Sequence, residues 1–188
     1  MRSTSKAVAW SALQSWGGQL AGFIVYAILA RYLEPEAFGL IAMAMVYIAF
    51  TQLFVDQGLS VAVIQRAELS NLHLSTAFWT NVVAGLLLSG CGYFLAQTIG
   101  SFYNQPNLIP VLQTLSVLLF TNSLCSIQSA IYRRNLNFKP LALAALFSSS
   151  IGGFIGVVMA IRGFGVWSLV GQQVSASLIQ ICILWIKN

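Results

Sequence analysis

The chain has 188 residues, 58% of them apolar and only 7% charged, against roughly 45–50% and about 25% in an average soluble domain. Nine Lys and Arg, four Asp and Glu and one His cannot cover the outer shell of a soluble domain of this size, so lipid is its solvent. At about 20 apolar residues per spanning helix plus a connection, this length holds about six or seven spans and no soluble catalytic domain, and the net charge of +5 is first a question of topology.

The first apolar stretch covers about 8–30. Arg2 and Lys6 precede it as in a signal peptide, but it is long, carries Gln14 and Gln19, and has no clear small-residue cleavage site after it, so it is read as an uncleaved helix. Arg31-Tyr32-Leu33-Glu34 closes it, and Pro35 suits the first turn of a second span over about 38–58, because a first-turn N–H has no helical partner. A polar connection around Arg66 leads to a third span at about 76–96. Pro106 and Pro110 punctuate the start of a fourth at about 110–131. The basic loop Arg133-Arg134-Asn135-Leu136-Asn137-Phe138-Lys139 follows, and Pro140 opens a fifth span at about 140–161. After Arg162-Gly163-Phe164-Gly165 a sixth occupies about 166–186. The expected fold is an all-α bundle of six transmembrane helices, one lobe over 1–188, with no proline inside a helix to break it.

Cytoplasmic loops should hold the excess of Lys and Arg. With both termini cytoplasmic, Arg2, Lys6, Arg66, Arg133, Arg134, Lys139 and Lys187 lie inside, and Arg31 and Arg162 lie outside. The basic balance is thereby mostly a topology signal, and nucleic acid is not an expected partner. Small residues recur every fourth position at Ser148, Gly152, Gly156 and Ala160, at Gly18 and Gly22, and at Gly85 and Ser89. Such stripes let helix backbones approach closely in lipid, for packing inside the chain or for a sliding or dimerising face.

Charges at membrane depth are costly and are candidates for function. Asp56, followed by Gln57, is the one acid in or near a span, and two readings stand: a structural tie near the interface, or ion coupling and gating. Arg31 and Arg162 break the charge bias, and they either snorkel to headgroups or draw an anionic group such as a phosphate into an outward cavity. Gln14, Gln19, Asn81, Asn122, Gln128, Gln172 and Gln173 are able to line a wet cavity that meets sugar hydroxyls, or to bridge helices. His73 sits beside a polar connection with no catalytic companion, and Cys91, Cys125 and Cys182 read as small hydrophobes in apolar stretches. Paired carboxylates, metal-ligand clusters and phosphate-cradling glycine loops do not occur, so neither an enzyme, nor a metal, nor a cofactor is expected.

Two passages carry a family resemblance. Ala30-Arg31-Tyr32-Leu33-Glu34-Pro35-Glu36-Ala37-Phe38-Gly39-Leu40 with Asp56-Gln57-Gly58-Leu59-Ser60-Val61-Ala62-Val63-Ile64-Gln65-Arg66 resembles the opening of polysaccharide-export flippases. Arg133 through Lys139, with Gly163-Phe164-Gly165-Val166-Trp167-Ser168-Leu169-Val170-Gly171, resembles their basic loop and fifth-to-sixth connection. The nearest group is the O-antigen and colanic-acid flippases, the polysaccharide transporters of the multidrug/oligosaccharidyl-lipid/polysaccharide superfamily. The resemblance implies a multi-pass bacterial inner-membrane protein that moves undecaprenyl-pyrophosphate-linked oligosaccharide between leaflets by alternating access. It implies two helical lobes around a polar cavity, of which this chain matches the first; the chain is then a fragment, or a half that needs a carboxy-terminal lobe or a second copy. Membrane lipids, a polysaccharide polymerase and chain-length proteins are the other implied partners. A drug–cation antiporter of the same superfamily is the alternative, disfavoured because the first helix has Gln14 and Gln19 but no acid. A non-transporting scaffold subunit of a glycan polymerase complex is the reading from another class.

Overall fold

The structure, a computed structural model, describes residues 10–11, 13–56 and 71–186, which form helices and the turns between them. A π-helical turn, Leu13–Gly17, runs into α1, Gly18–Leu29. Then come α2 (Pro35–Asp56), α3 (Asn71–Phe102), α4 (Leu108–Arg134), α5 (Phe138–Ile161) and α6 (Val166–Ile186). The helices α2 to α6 are long and apolar enough to cross a membrane, whereas the described part of the first apolar segment, Ser15–Leu29, is shorter. The chain is an all-helical, multi-pass membrane protein.

The largest departure from the expected bounds is α3, which starts five residues before 76 and ends six after 96. Its 32 residues reach about 48 Å, well beyond a hydrocarbon core of about 30 Å. The uncharged, turn-rich stretch after Ala96 continues the helix because Ala96 and Gly100 stay buried against α4. Pro35 is the first residue of α2, Pro110 and Pro140 are third in α4 and α5, and Pro106 lies in a turn. Proline removes no helical hydrogen bond at those positions.

Three helices end in the same way. Gln105 N–H donates to Gly100 O, Asn137 N–H to Tyr132 O, and Phe164 N–H to Met159 O, each at 3.0–3.1 Å. The residue before each donor, namely Asn104, Leu136 and Gly163, has positive φ. This is the Schellman termination, which satisfies the last carbonyls by one left-handed residue.

Cross-helix contacts fix the directions. Gly85 faces Ser123 and Gly92 faces Ser116, so α3 and α4 run antiparallel; Gly152 faces Ala176 and Gly156 faces Gln172, so α5 and α6 do too. Gly18 faces Ala145 and Gly153 faces Val25, which makes α1 and α5 parallel. Gln52 meets Asn122, and Tyr47 is level with Ser116, which makes α2 and α4 parallel. The helices therefore alternate up and down. In space α4 is the hub, touching α3, α6 and α2, while α1 leans on α5 rather than on α2, its neighbour in sequence.

The glycines explain the closest pairs. A Cβ on Gly85 would lie 2.5 Å from Ser123 Oγ, and one on Gly152 would lie 2.7 Å from the Ala176 Cβ. Without a hydrophobic force between helices in lipid, this backbone-to-backbone approach supplies the van der Waals contact that holds them. Of the expected stripes, the one on α5 is buried throughout; Gly85 is buried and Ser89 half-buried, the α3 face continuing through Gly92, Ala96 and Gly100; Gly22 meets nothing within 4 Å. Cys125 joins a small core cluster, whereas Cys91 and Cys182 are exposed on the outer faces of α3 and α6.

Candidate functional site

Along α4 the packing changes character twice. Leu108, Leu112, Leu115 and Leu119 belong to the main core, shared with Leu29, Leu33, Leu40 and Leu169. Thr121, Asn122 and Ser123 follow, and beyond them the core divides: Cys125 packs with Leu141 and Leu184, while Ile127 and Ala130 pack with Leu74, Ala77 and Phe78. A polar level thus separates one continuous core from two smaller ones.

That level joins the three even-numbered helices. Asn122 Nδ2 on α4 donates to Gln52 Oε1 on α2 at 3.3 Å, and Ser177 Oγ on α6 donates to Thr121 Oγ1 at 2.6 Å. Thr121 stands thirteen residues from either end of α4, about 20 Å from each. Such hydroxyls survive in an apolar setting because they also bond back to their own helix: Thr121 Oγ1 to Leu118 O at 3.1 Å and Ser123 Oγ to Phe120 O at 2.7 Å. Amides have no such recourse, and Asn122, exposed, takes its partner from another helix.

Other amides are buried without a partner. Asn81 on α3 is fully buried, and neither its Oδ1 nor its Nδ2 has a hydrogen bond. On α6, Ser168 Oγ, Gln172 Oε1 and Gln173 Nε2 are likewise unpaired. Gln172 lies over Gly156 of α5, where an added Cβ would sit 2.8 Å from the Gln172 Cβ. An unpaired buried polar group costs about 1–3 kcal/mol, and the hydrocarbon core offers no water to relieve it.

At the end of the bundle where α1 and α5 finish, a cavity of about 370 Å³ opens between the α1–α2 turn, the α5–α6 turn and the start of α4. Its polar lining includes Tyr32, Glu34, Glu36 and Asn107, with Gly163 and Gly165 on the facing turn. Arg31 and Arg162 are both exposed at this end, yet the residues that line the cavity include two carboxylates and neither arginine.

The residues singled out in the sequence therefore occupy three environments. Asn81 and Gln172 are buried between helices and Gln173 is half-buried; Arg31, Arg162 and Gln19 are exposed. The side chains of Gln14 and Asp56, and the whole of Gln57, lie outside the described residues. Gln52, Thr121 and Ser177 were not singled out, although Thr121-Asn122-Ser123 is a run of three polar residues in the middle of an apolar span. Their partnership across helices is invisible without the register between α2, α4 and α6.

Comparison with known proteins places these features in a context. The family model described as "Polysaccharide biosynthesis protein" matches residues 28–188. The chain is 28% identical over 186 residues to the succinoglycan biosynthesis transport protein ExoT of Rhizobium meliloti, covering 98% of this chain and 37% of the relative. It is 29% identical over 151 residues to the lipopolysaccharide biosynthesis protein WzxC of Escherichia coli, covering 80% of this chain and 30% of the relative. It is 25% identical over 111 residues to the teichuronic acid biosynthesis protein TuaB of Bacillus subtilis, covering 58% and 23%. The chain spans about a third of the length of the first two of these relatives. No solved structure matches it.

Proposed function

The chain belongs to the polysaccharide biosynthesis protein family, and from that premise we propose that it forms one helical lobe of a transporter that exports polysaccharide precursors across the bacterial inner membrane. The cargo is a lipid-linked oligosaccharide, carried between leaflets by rocking of this lobe against a second one or a second copy. Both termini face the cytoplasm in this reading, because seven of the nine bases then do so. Transport of this kind asks the protein for a polar surface at mid-depth and for a rigid scaffold, with no bond made or broken.

The observation that carries the proposal is the mid-depth polar level of Gln52, Thr121, Asn122 and Ser177. Hydroxyls and amides there present both donors and acceptors, which suits the hydroxyl groups of a glycan. The undivided core on one side of that level acts as the rigid part, while on the other side the core is split into two clusters, and parting α3 from α6 there opens the Phe78–Trp185 ring contact. The unpaired Gln172 Oε1 and Gln173 Nε2 belong to the same scheme: packing that leaves these atoms unpaired here is relieved when α6 is hydrated in another state. Arg31 and Arg162, exposed at the other end, receive the pyrophosphate as it emerges.

The decisive experiment deletes the whole gene and follows lipid-linked repeat units by leaflet. Accumulation on the cytoplasmic side, reversed by the gene and not by its Asn122→Leu variant, is the expected result. Normal export in the deletion strain, or protection against cationic drugs as the gene's main effect, overturns the proposal.

A further inference from the structure

The turn between α4 and α5 combines an unfavourable backbone with an exposed apolar side chain. Leu136 holds the left-handed position (φ 52°) that closes α4, where α3 uses Asn104 and α5 uses Gly163. Glycine takes that conformation freely and asparagine eases it, but leucine's Cβ crowds the backbone. No core contact offsets the strain, because Leu136 is 62% exposed. An outlier of this kind, kept without a packing reason, points to a role.

The surroundings say which role. Arg133 and Lys139 flank the turn and are exposed, and Lys139 Nζ lies 6.0 Å over the ring of Trp10. No Asp or Glu follows Glu68 in the sequence, so the segment from α3 to α6 carries four bases, Arg133, Arg134, Lys139 and Arg162, and no carboxylate. A charge complementary to Arg133 and Lys139 therefore has to come from outside α3 to α6. An exposed leucine between two cations, one of them set over an indole, matches the boundary where hydrocarbon meets phosphate: apolar below, anionic above.

We propose that Trp10, Arg133, Leu136 and Lys139 form a docking surface for anionic phospholipids of the adjoining leaflet. Leu136 inserts below the headgroups, its left-handed backbone turning the side chain outward, while Arg133 and Lys139 bind the phosphates. The surface anchors the α4–α5 turn to the membrane and sets the depth of the polar level at Thr121. This rests on the chain spanning a membrane and is independent of what the chain transports.

The test uses the chain in nanodiscs of phosphatidylcholine with or without phosphatidylglycerol, with retained lipids counted by native mass spectrometry after release. Phosphatidylglycerol is expected to be retained over phosphatidylcholine, and Arg133→Gln and Lys139→Gln each to lower its retention about fivefold. Leu136→Asn tolerates the left-handed backbone and removes the apolar wedge; it is expected to lower retention without lowering the thermal midpoint. Unchanged retention in the Arg133→Gln/Lys139→Gln double variant overturns the proposal. So does displacement of phosphatidylglycerol from the unmodified chain by inorganic phosphate, which would make the turn a free-anion site. Because no glycan is present, failure here leaves the transport reading standing.

Discussion

Ser177 of α6 donates a 2.6 Å hydrogen bond to Thr121 of α4, close to the middle of both helices. Two side chains that sequence separates by 56 residues thereby tie two parallel helices at mid-depth. Hydrogen bonds between membrane helices average about 0.6 kcal/mol and reach about 1.7 kcal/mol. Thr121→Val and Ser177→Ala should each lower stability within that range, and a double-mutant cycle should return most of the loss as coupling. Additive losses in unfolding measurements would mean that the pair makes no bond in the membrane.

The unpaired amide of Gln172 predicts the opposite sign. Replacing it by Met keeps the volume over Gly156 and removes an unsatisfied acceptor, so Gln172→Met should raise the thermal midpoint, corresponding to about 1 kcal/mol or more. Export should fall in the same variant, since the proposed function needs that amide when α6 is hydrated. A variant both destabilised and fully active would sink this account of Gln172.

Two glycine substitutions separate contact from propensity. Gly152→Ala puts a Cβ 2.7 Å from that of Ala176, which forces α5 and α6 apart and should cost about 1–3 kcal/mol. Gly90→Ala in α3 meets nothing within 4 Å and should stabilise the helix by about 0.5–1 kcal/mol. Thermal unfolding of the two variants in one detergent decides it, and equal shifts would contradict the packing described here.

Arg31 and Arg162 test the end of the bundle proposed as the exit. Both are exposed, so Arg31→Gln and Arg162→Gln should leave stability within about 0.5 kcal/mol while lowering export. Glu34→Gln and Glu36→Gln, which remove the carboxylates of the nearby cavity, should not lower it if the arginines alone meet the pyrophosphate. Leaflet-resolved export assays of the four variants give the answer, and loss in the glutamate variants alone would assign the site to the cavity instead.

Much of the architecture was legible because the bilayer imposes it. Hydrocarbon admits no unsatisfied backbone, so long apolar runs have to be helices, and the prolines and polar connections mark their ends to within a few residues. The α3 bounds were the exception: its uncharged continuation past Ala96 looks like a turn until Gly100 is seen buried against α4. The α5 stripe could be read as a packing face, but its partner could not. Gly152 and Gly156 meet α6, whereas Gly153, one residue on, meets Val25 of α1.

The candidate site was less legible. A polar residue in a spanning helix reads the same in sequence whether it is paired, orphaned or exposed; Asn122, Asn81 and Gln19 are one of each. By itself the sequence determined the solvent, the helix number and the charge bias, because composition and run length answer to the bilayer alone. Only the tertiary structure decided that α1 lies on α5, that Thr121 and Asn122 bind α6 and α2, and that Gln172 Oε1 is buried without a partner. Those outcomes depend on the rotation and register of one helix against another, which small residues set through close contact and which no single helix encodes.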